Sequence, residues 1–174
     1  MFIRVKVVKG KKYAYLVKNT WKHGSARQKV SKYLGKVHTL LQVKNIDFET
    51  FVEKPIEEYL QASPRKIILD LVARELINHG FEKRRGVWIR ESLEINLYSV
   101  SFKENRKPFV LHINGDYLCP YTLRKLLNFK SSNDEVSVGK ELAKAFISAG
   151  IAVPENIFIE VFQKVYKPGQ SFVY

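Results

Sequence analysis

The basic side chains of the first 46 residues are the groups whose types and spacing could do chemistry in this sequence. Twelve Lys and Arg residues lie in that stretch, and the first acid of the chain is Asp47, directly after it. Ammonium and guanidinium groups form charge-assisted hydrogen bonds with phosphate oxygens, and an arginine can donate two of them at once. A long positive stretch without counter-charge therefore predicts a polyanionic ligand.

The excess of positive charge belongs almost entirely to this stretch. The chain of 174 residues has 30 Lys and Arg against 17 Asp and Glu, a formal net charge of +13, and residues 47–174 hold all 17 acids. An ordinary solvated surface mixes both signs, as residues 47–174 do. A disordered basic tail would lack the Val, Ile, Tyr and Phe found in residues 1–46. We therefore expect an ordered basic module.

Strand patterns position these bases. Phe2–Val8 alternates apolar and basic residues, Gly10-Lys11 supplies a turn, and Tyr13–Val17 is aromatic and β-branched. Residues 19–24 have the composition of a polar connection, and Arg27–Leu34 predicts a third strand that Gly35 ends. The simplest construction is a three-stranded antiparallel sheet.

Such a sheet has one packed face and one open face. We expect apolar side chains to pack against the protein, namely Ile3, Val5, Val7, Val30 and Leu34. Regular alternation then places four bases together on the open face: Arg4, Lys6, Arg27 and Lys29. Tyr13 and Tyr15 share a face, and the pattern leaves open which one. Tyr33 falls with Arg27 and Lys29.

Two modes of nucleic-acid contact fit this arrangement. A twisted ribbon can enter a major groove or follow a phosphate backbone, and Arg4, Arg27 or Trp21 could then read sequence or shape. Aromatic side chains among bases can instead stack on unpaired nucleobases. The predicted contact residues are Arg4, Lys6, Tyr13, Tyr15, Lys18, Trp21, Lys22, Arg27, Lys29 and Lys32.

The remaining chain predicts a mixed domain that begins after a connector and a short helix in residues 38–62. Ser63 and Pro64 start a clear helix with an apolar stripe, and Gly80 follows its end. The later elements are strands at Gly86–Arg90, Glu94–Phe102 and Pro108–Ile113, helices at Tyr121–Phe129 and Ser137–Ala149, and a segment at Pro154–Val165 that has helical spacing but leaves a strand open.

The predicted fold class is therefore α+β. A small N-terminal three-stranded antiparallel sheet precedes a mixed α/β domain with a helix, three strands and C-terminal helices. We divide the chain into a basic β-rich module, residues 1–46, and an α+β domain, residues 47–174.

Several function classes lack their signatures. Cys119 is the only cysteine, so an intramolecular disulfide is excluded and a reducing, cytoplasmic compartment is indicated. We expect Cys119 to be a small core residue and not a nucleophile. The four histidines lie far apart, so we expect no metal site. No apolar run has membrane-spanning length, and no glycine-rich phosphate loop or nucleophile motif occurs. We expect no cofactor and no membrane partner.

The order of elements in residues 64–129 is similar to the core of restriction-endonuclease-like nucleases. Those enzymes hold Mg²⁺ with a carboxylate and a Glu-x-Lys on neighbouring strands. Here the third strand, Phe109–Ile113, has no Glu-x-Lys, and the available acids are Glu91, Glu94 and Asp116. A Mg²⁺-dependent nuclease is therefore the alternative function, and the missing motif favours a protein without enzyme activity.

The first 37 residues resemble the start of insertion-sequence DDE transposases. The resemblance rests on Met1-Phe2-Ile3-Arg4-Val5-Lys6, Tyr13-Ala14-Tyr15-Leu16-Val17, Arg27-Gln28-Lys29 and Tyr33-Leu34-Gly35. It implies a DNA-associated N-terminal module. It does not imply transposition, because the catalytic domain of that family is much larger and binds its metal with two Asp and a Glu.

The leading hypothesis is a nucleic-acid-binding protein without enzyme activity, with duplex DNA favoured over RNA. The alternatives are the Mg²⁺-dependent nuclease, a binder of structured RNA, and an interaction module for an acidic protein. We expect residues 47–174 to support the sheet, and self-association stays open.

Overall fold

The computed structural model describes residues 1–22, 25–130 and 134–166. Its N-terminal part is a meander of three strands, β1 (Phe2–Val8), β2 (Lys11–Lys22) and β3 (Ser25–Thr39). β1 pairs with β2 and β2 pairs with β3, both antiparallel. The predicted three-stranded antiparallel sheet is confirmed. β2 extends to Lys22, so the expected connection at residues 19–24 is wrong for residues 19–22; His23 and Gly24 lie outside the described residues.

Six further strands follow: β4 (Glu82–Arg84), β5 (Val87–Arg90), β6 (Leu93–Asn96), β7 (Ser101–Glu104), β8 (Lys107–Ile113) and β9 (Asp116–Leu118). The strand order is β1-β2-β3-β8-β7-β6-β5-β4, and β9 pairs with β8. The single strand expected at Glu94–Phe102 is wrong. Asn96 Oδ1 accepts a hydrogen bond from the Ser99 amide at 2.9 Å and starts a turn that separates β6 from β7.

The end of the third strand was predicted at Gly35, and this is wrong. β3 continues to Thr39, and its last four residues pair in parallel with residues 109–112 of β8. Gly35 has a φ of +129°, and a Cβ at this position would lie 2.3 Å from the carbonyl oxygen of Pro108. The glycine therefore allows two backbones to approach closely inside the sheet.

The helices are α1 (Phe48–Val52), α2 (Ile56–Tyr59), α3 (Pro64–Asn78), α4 (Pro120–Leu127), α5 (Glu135–Ser148) and α6 (Glu155–Val165). Ser63 is the predicted N-cap of α3, with its Oγ accepting from the Lys66 amide at 3.3 Å. Residues 155–165 are helical, so the helical spacing of this segment is confirmed and the alternative of a strand is wrong. Within residues 1–22, 25–130 and 134–166, none of the helices has both the length and the apolar character to cross a membrane.

Two apolar clusters hold the α+β fold together. In the larger cluster, the predicted stripe of α3 is buried, with Leu71 and Leu76 fully covered, and the helix contacts α1, α4 and α6. In the smaller cluster, Ala14, Leu16 and Leu34 of the N-terminal strands pack with Val110 and Cys119. Cys119 is thus the core residue that was predicted, and burial raises the pKa of its thiol.

The N-terminal strands and the rest of the chain share one sheet. The parallel β3–β8 ladder is the hydrogen-bonded connection between them, and the smaller cluster covers one of its sides. The division of the chain at residue 46 stays a prediction.

Candidate functional site

The distal half of the β2–β3 hairpin extends beyond its neighbours. β1 begins opposite Val17 of β2, and β3 reaches β8 only from Lys36 onward. Five residue pairs, from Lys18 with Lys29 to Lys22 with Ser25, therefore form a two-stranded ribbon with no third strand among the described residues. At about 3.3 Å per residue, this ribbon is roughly 15 Å long. We call residues 18–22 and 25–29 the arm.

The cross-strand register separates bases that were expected on one face. Arg4 lies opposite Tyr15, and its guanidinium donates a hydrogen bond to Oε1 of Gln28 in the arm. Because neighbouring residues of a strand point to opposite faces, Arg27 lies on the other side from Gln28. The expectation of one shared face is therefore wrong for the set Arg4, Lys6, Arg27 and Lys29.

The separation follows from β2, where Tyr15, the partner of Arg4, and Thr20, the partner of Arg27, point to opposite faces. Two irregularities in β3 then change the alternation of that strand. Two residues of β3 have no partner in β2. Ser31 is skipped between the partners of Val17 and Leu16, and Leu34 is skipped between those of Tyr15 and Ala14. Each extra residue reverses the phase of the alternation along the strand. Regular alternation would have placed Tyr33 beside Arg27, whereas the observed pairing places it opposite Tyr15, on the face of Arg4.

The sheet therefore has an inner and an outer face. The inner face is that of Ala14, Leu16 and Leu34, which pack on the smaller cluster. Beyond the cluster the inner face becomes basic and exposed, with Lys18, Arg27, Lys29 and Lys32. The outer face carries Arg4, Lys6, Tyr13, Tyr15, Tyr33 and Lys36.

The remaining predicted residues are placed as follows. Trp21 lies on the arm and exposes 76% of its surface. Lys22 belongs to β2, and its side chain is outside the part of the chain that the structure describes. Among the apolar residues expected to pack, Ile3 and Val5 contact the smaller cluster. Val7 and Val30 are 66% and 45% exposed, so the expectation is wrong for these two.

Three tyrosines form an aromatic group on the outer face. The ring centre of Tyr33 lies 6.4 Å from that of Tyr13 and 5.4 Å from that of Tyr15. The ammonium of Lys6 lies 5.4 Å from the ring centre of Tyr15. Burial, followed by the two neighbouring tyrosines, raises the pKa of Tyr33, so its hydroxyl is neutral at physiological pH. Tyr13 and Tyr15 therefore share the outer face, which the sequence pattern left open.

The basic module has little compensation from carboxylates. Among the described residues, Glu104 is the carboxylate that forms a salt bridge with a base of the first 46 residues, with Lys36 Nζ at 3.4 Å. The same carboxylate lies 3.1 Å from Nε2 of His38. Both contacts are at the β3–β7–β8 junction, away from the arm. The positive charge of Lys18, Arg27 and Lys29, the described bases of the arm, therefore remains available to a ligand.

The Glu104 contacts predict a pH-dependent contribution to stability. Burial raises the pKa of this carboxyl, but His38 and Lys36 outweigh burial, and the net pKa is lowered. The stabilisation is therefore complete above the unfolded-chain pKa, about 4.3, and is lost as the pH falls through the lower folded-state pKa. We expect Glu104→Gln to lower the free energy of unfolding by about 1 kcal/mol at pH 7. Urea titrations of both proteins should show this difference shrinking below pH of about 4; a constant difference would contradict the assignment.

The acids considered for a metal site do not come together. Glu94 is exposed on β6, Glu91 lies in the turn before it, and Asp116 begins β9, where burial raises the pKa of its carboxyl. In the described ranges, no three His, Cys, Asp or Glu side chains are grouped so that they could hold a metal ion.

Sequence patterns missed several residues of the outer face. Regular alternation predicts the wrong face for Tyr33, and local patterns do not distinguish Lys11, Lys36 and Lys107 as contact residues. Lys107 meets the N-terminal sheet only through the β3–β8 pairing, which no local pattern indicates. The recurrence of Tyr at 13, 15 and 33 is the sequence feature that indicates an aromatic group. Regular alternation does not include the bulges of β3 and therefore cannot place Tyr33 with the other two.

Comparisons of the chain with protein-family models, with curated proteins and with solved structures give no match. The likeness of the first 37 residues to transposases stays a prediction.

Proposed function

We propose that this protein binds duplex nucleic acid, DNA rather than RNA, through the arm of its N-terminal sheet. The observation that carries the proposal is a projecting two-stranded ribbon whose described basic side chains, Lys18, Arg27 and Lys29, have no salt bridge to a described carboxylate. The major groove of B-DNA, about 12 Å wide, admits a two-stranded ribbon. The major groove of A-form RNA is too deep and narrow for side-chain readout, which favours DNA.

The two faces of the arm suit different parts of a duplex. Lys18, Arg27 and Lys29 lie on one face and can bind phosphates along the groove. Asn19 and Gln28 are cross-strand partners on the other face. The exposed amide of Asn19 can pair with a base edge, whereas Oε1 of Gln28 already accepts a hydrogen bond from Arg4. Phosphate contacts give affinity independent of sequence, whereas amide contacts add preference for particular bases.

Salt dependence tests this proposal. If the arm and its neighbours neutralise about four phosphates, the logarithm of the binding constant should fall with a slope of about −3.6 against the logarithm of the salt concentration. Between about 50 and 200 mM salt, the affinity should fall roughly a hundredfold because bound counterions are released. Fluorescence anisotropy of a labelled duplex of about 20 base pairs would measure the slope.

Two comparison ligands make the result specific. An RNA duplex of matching sequence should bind more weakly than the DNA duplex, and poly-glutamate at equal charge should compete poorly. An affinity for DNA that does not change with salt would refute the proposal. Preferential binding of poly-glutamate would instead support an acidic protein partner.

A further inference from the structure

The outer face contains a pocket where the N-terminal sheet meets the β7–β8 turn. Its volume is about 410 Å³, within the range of about 300–1,000 Å³ in which small ligands bind. Tyr13 and Tyr33 line it from the N-terminal strands, Asn105 lines it from the turn, and Pro108 lines it from β8. The pocket therefore depends on the β3–β8 pairing that joins the two parts of the chain.

Charged groups of both signs line this pocket, and two of them, Glu104 and Lys107, are cross-strand partners in β7 and β8. Lys11 and Lys107 lie on its lining and are exposed, so they can bind an anion. Glu104 also lines it and is held by Lys36 and His38, and an ionised carboxylate accepts hydrogen bonds but repels anions. A ligand that fits can therefore place an anionic group against the ammonium groups of Lys11 and Lys107 and present N–H donors to Glu104.

The aromatic lining adds a third requirement. Tyr33 is 43% exposed, and its ring and that of Tyr13 border the cavity. The ring of Tyr15 lies under the ammonium of Lys6 and is not among the described residues that line the pocket. A flat aromatic group stacked on Tyr33 or Tyr13 would bury apolar surface without needing a particular hydrogen-bond pattern.

We propose that this pocket binds one unpaired nucleotide of a nucleic-acid strand. Its base stacks on Tyr33 and Tyr13, its N–H groups face Glu104, and its phosphate binds Lys11 and Lys107. The inference rests on the proposed function, since it assigns a second contact to the same N-terminal sheet. A base within a duplex cannot occupy the pocket, because its faces are covered by neighbouring base pairs.

The experiment compares a single-stranded oligonucleotide of about eight residues with a blunt duplex, both titrated against the full chain by fluorescence anisotropy. Tyr33→Ala should weaken single-strand binding about tenfold, since stacking on one aromatic ring contributes about that much. The same variant should change duplex affinity by less than about twofold, because the arm does not include Tyr33. Tyr33→Phe keeps the ring and should retain single-strand binding.

Tyr98→Ala is the matched control, because Tyr98 is 94% exposed and lies outside the N-terminal sheet. Equal losses in the Tyr33→Ala and Tyr98→Ala variants would overturn the pocket assignment, and so would equal losses for single strand and duplex. Duplex binding without any single-strand binding would overturn this inference and leave the proposed function standing. Absence of binding to both ligands would overturn both.

Discussion

Replacing Lys18, Arg27 and Lys29 together by glutamate is expected to lower the affinity for a DNA duplex about 500-fold at 0.1 M salt. These three bases share the inner face of the arm and are exposed. Each phosphate contact contributes close to tenfold at this salt concentration, because the binding constant changes by about 0.9 logarithmic units per decade of salt for each contact. The slope of the salt dependence should fall by about 2.7 in the same titration.

A matched control variant changes the net charge by the same amount but at three lysines outside the arm. Lys125, Lys140 and Lys144 are exposed on α4 and α5, so replacing them by glutamate alters the net charge equally. This variant should retain affinity within a fewfold, through the long-range field alone. If both triple variants lost affinity equally, net charge and not the arm would explain binding. Circular dichroism of both variants would show whether each is folded.

Gly35→Ala is expected to lower the free energy of unfolding by about 3 kcal/mol. The φ of +129° is strained for any residue with a side chain, and the added Cβ would lie 2.3 Å from the backbone oxygen of Pro108. A backbone atom of a buried ladder cannot move aside as a flexible side chain can. For a chain of this size, thermal unfolding should shift downward by roughly 10 °C.

Gly86→Ala separates the two causes of this loss. Gly86 also has a positive φ, +83°, but a Cβ there would have nothing within 4 Å. Its substitution should therefore cost only the backbone strain, about 1 kcal/mol. Denaturant titrations measure the free energy of unfolding of each variant. The extra loss in Gly35→Ala is attributed to the close approach of β3 and β8. Equal losses would contradict that close approach.

Local sequence patterns predict the elements that are specified by their own residues, without reference to distant pairing. The start of α3 was predictable because Ser63 and Pro64 cap it, and the stripe of Leu71 and Leu76 repeats at helical spacing. β4 and β9 were missed, because each has three residues and too few positions to show alternation. The parallel β3–β8 pair was not predictable, since no local feature of Gly35 distinguishes a close approach from a chain end.

The candidate site was predictable in its location and charge but not in its geometry. The bases of residues 1–46 were evident from composition, and the tyrosines from their types. The faces of Lys32 and Tyr33 depend on a bulge, which arises from pairing with β2 and is not encoded in the alternation of β3. The extra residue at the first bulge, Ser31, is enough to separate Tyr33 from Arg27.

The parallel β3–β8 ladder also sets an order of events during synthesis. Lys36 and its partner Phe109 are 73 positions apart, so β3 leaves the ribosome several seconds before its partner at about 5–20 residues per second. During this interval Leu16 and Leu34 lack Val110 and Cys119, which complete their cluster. Mutual repulsion among the lysines would then hinder neighbouring nascent chains from joining at the uncovered strands. The cationic character of the segment would thus protect its own maturation.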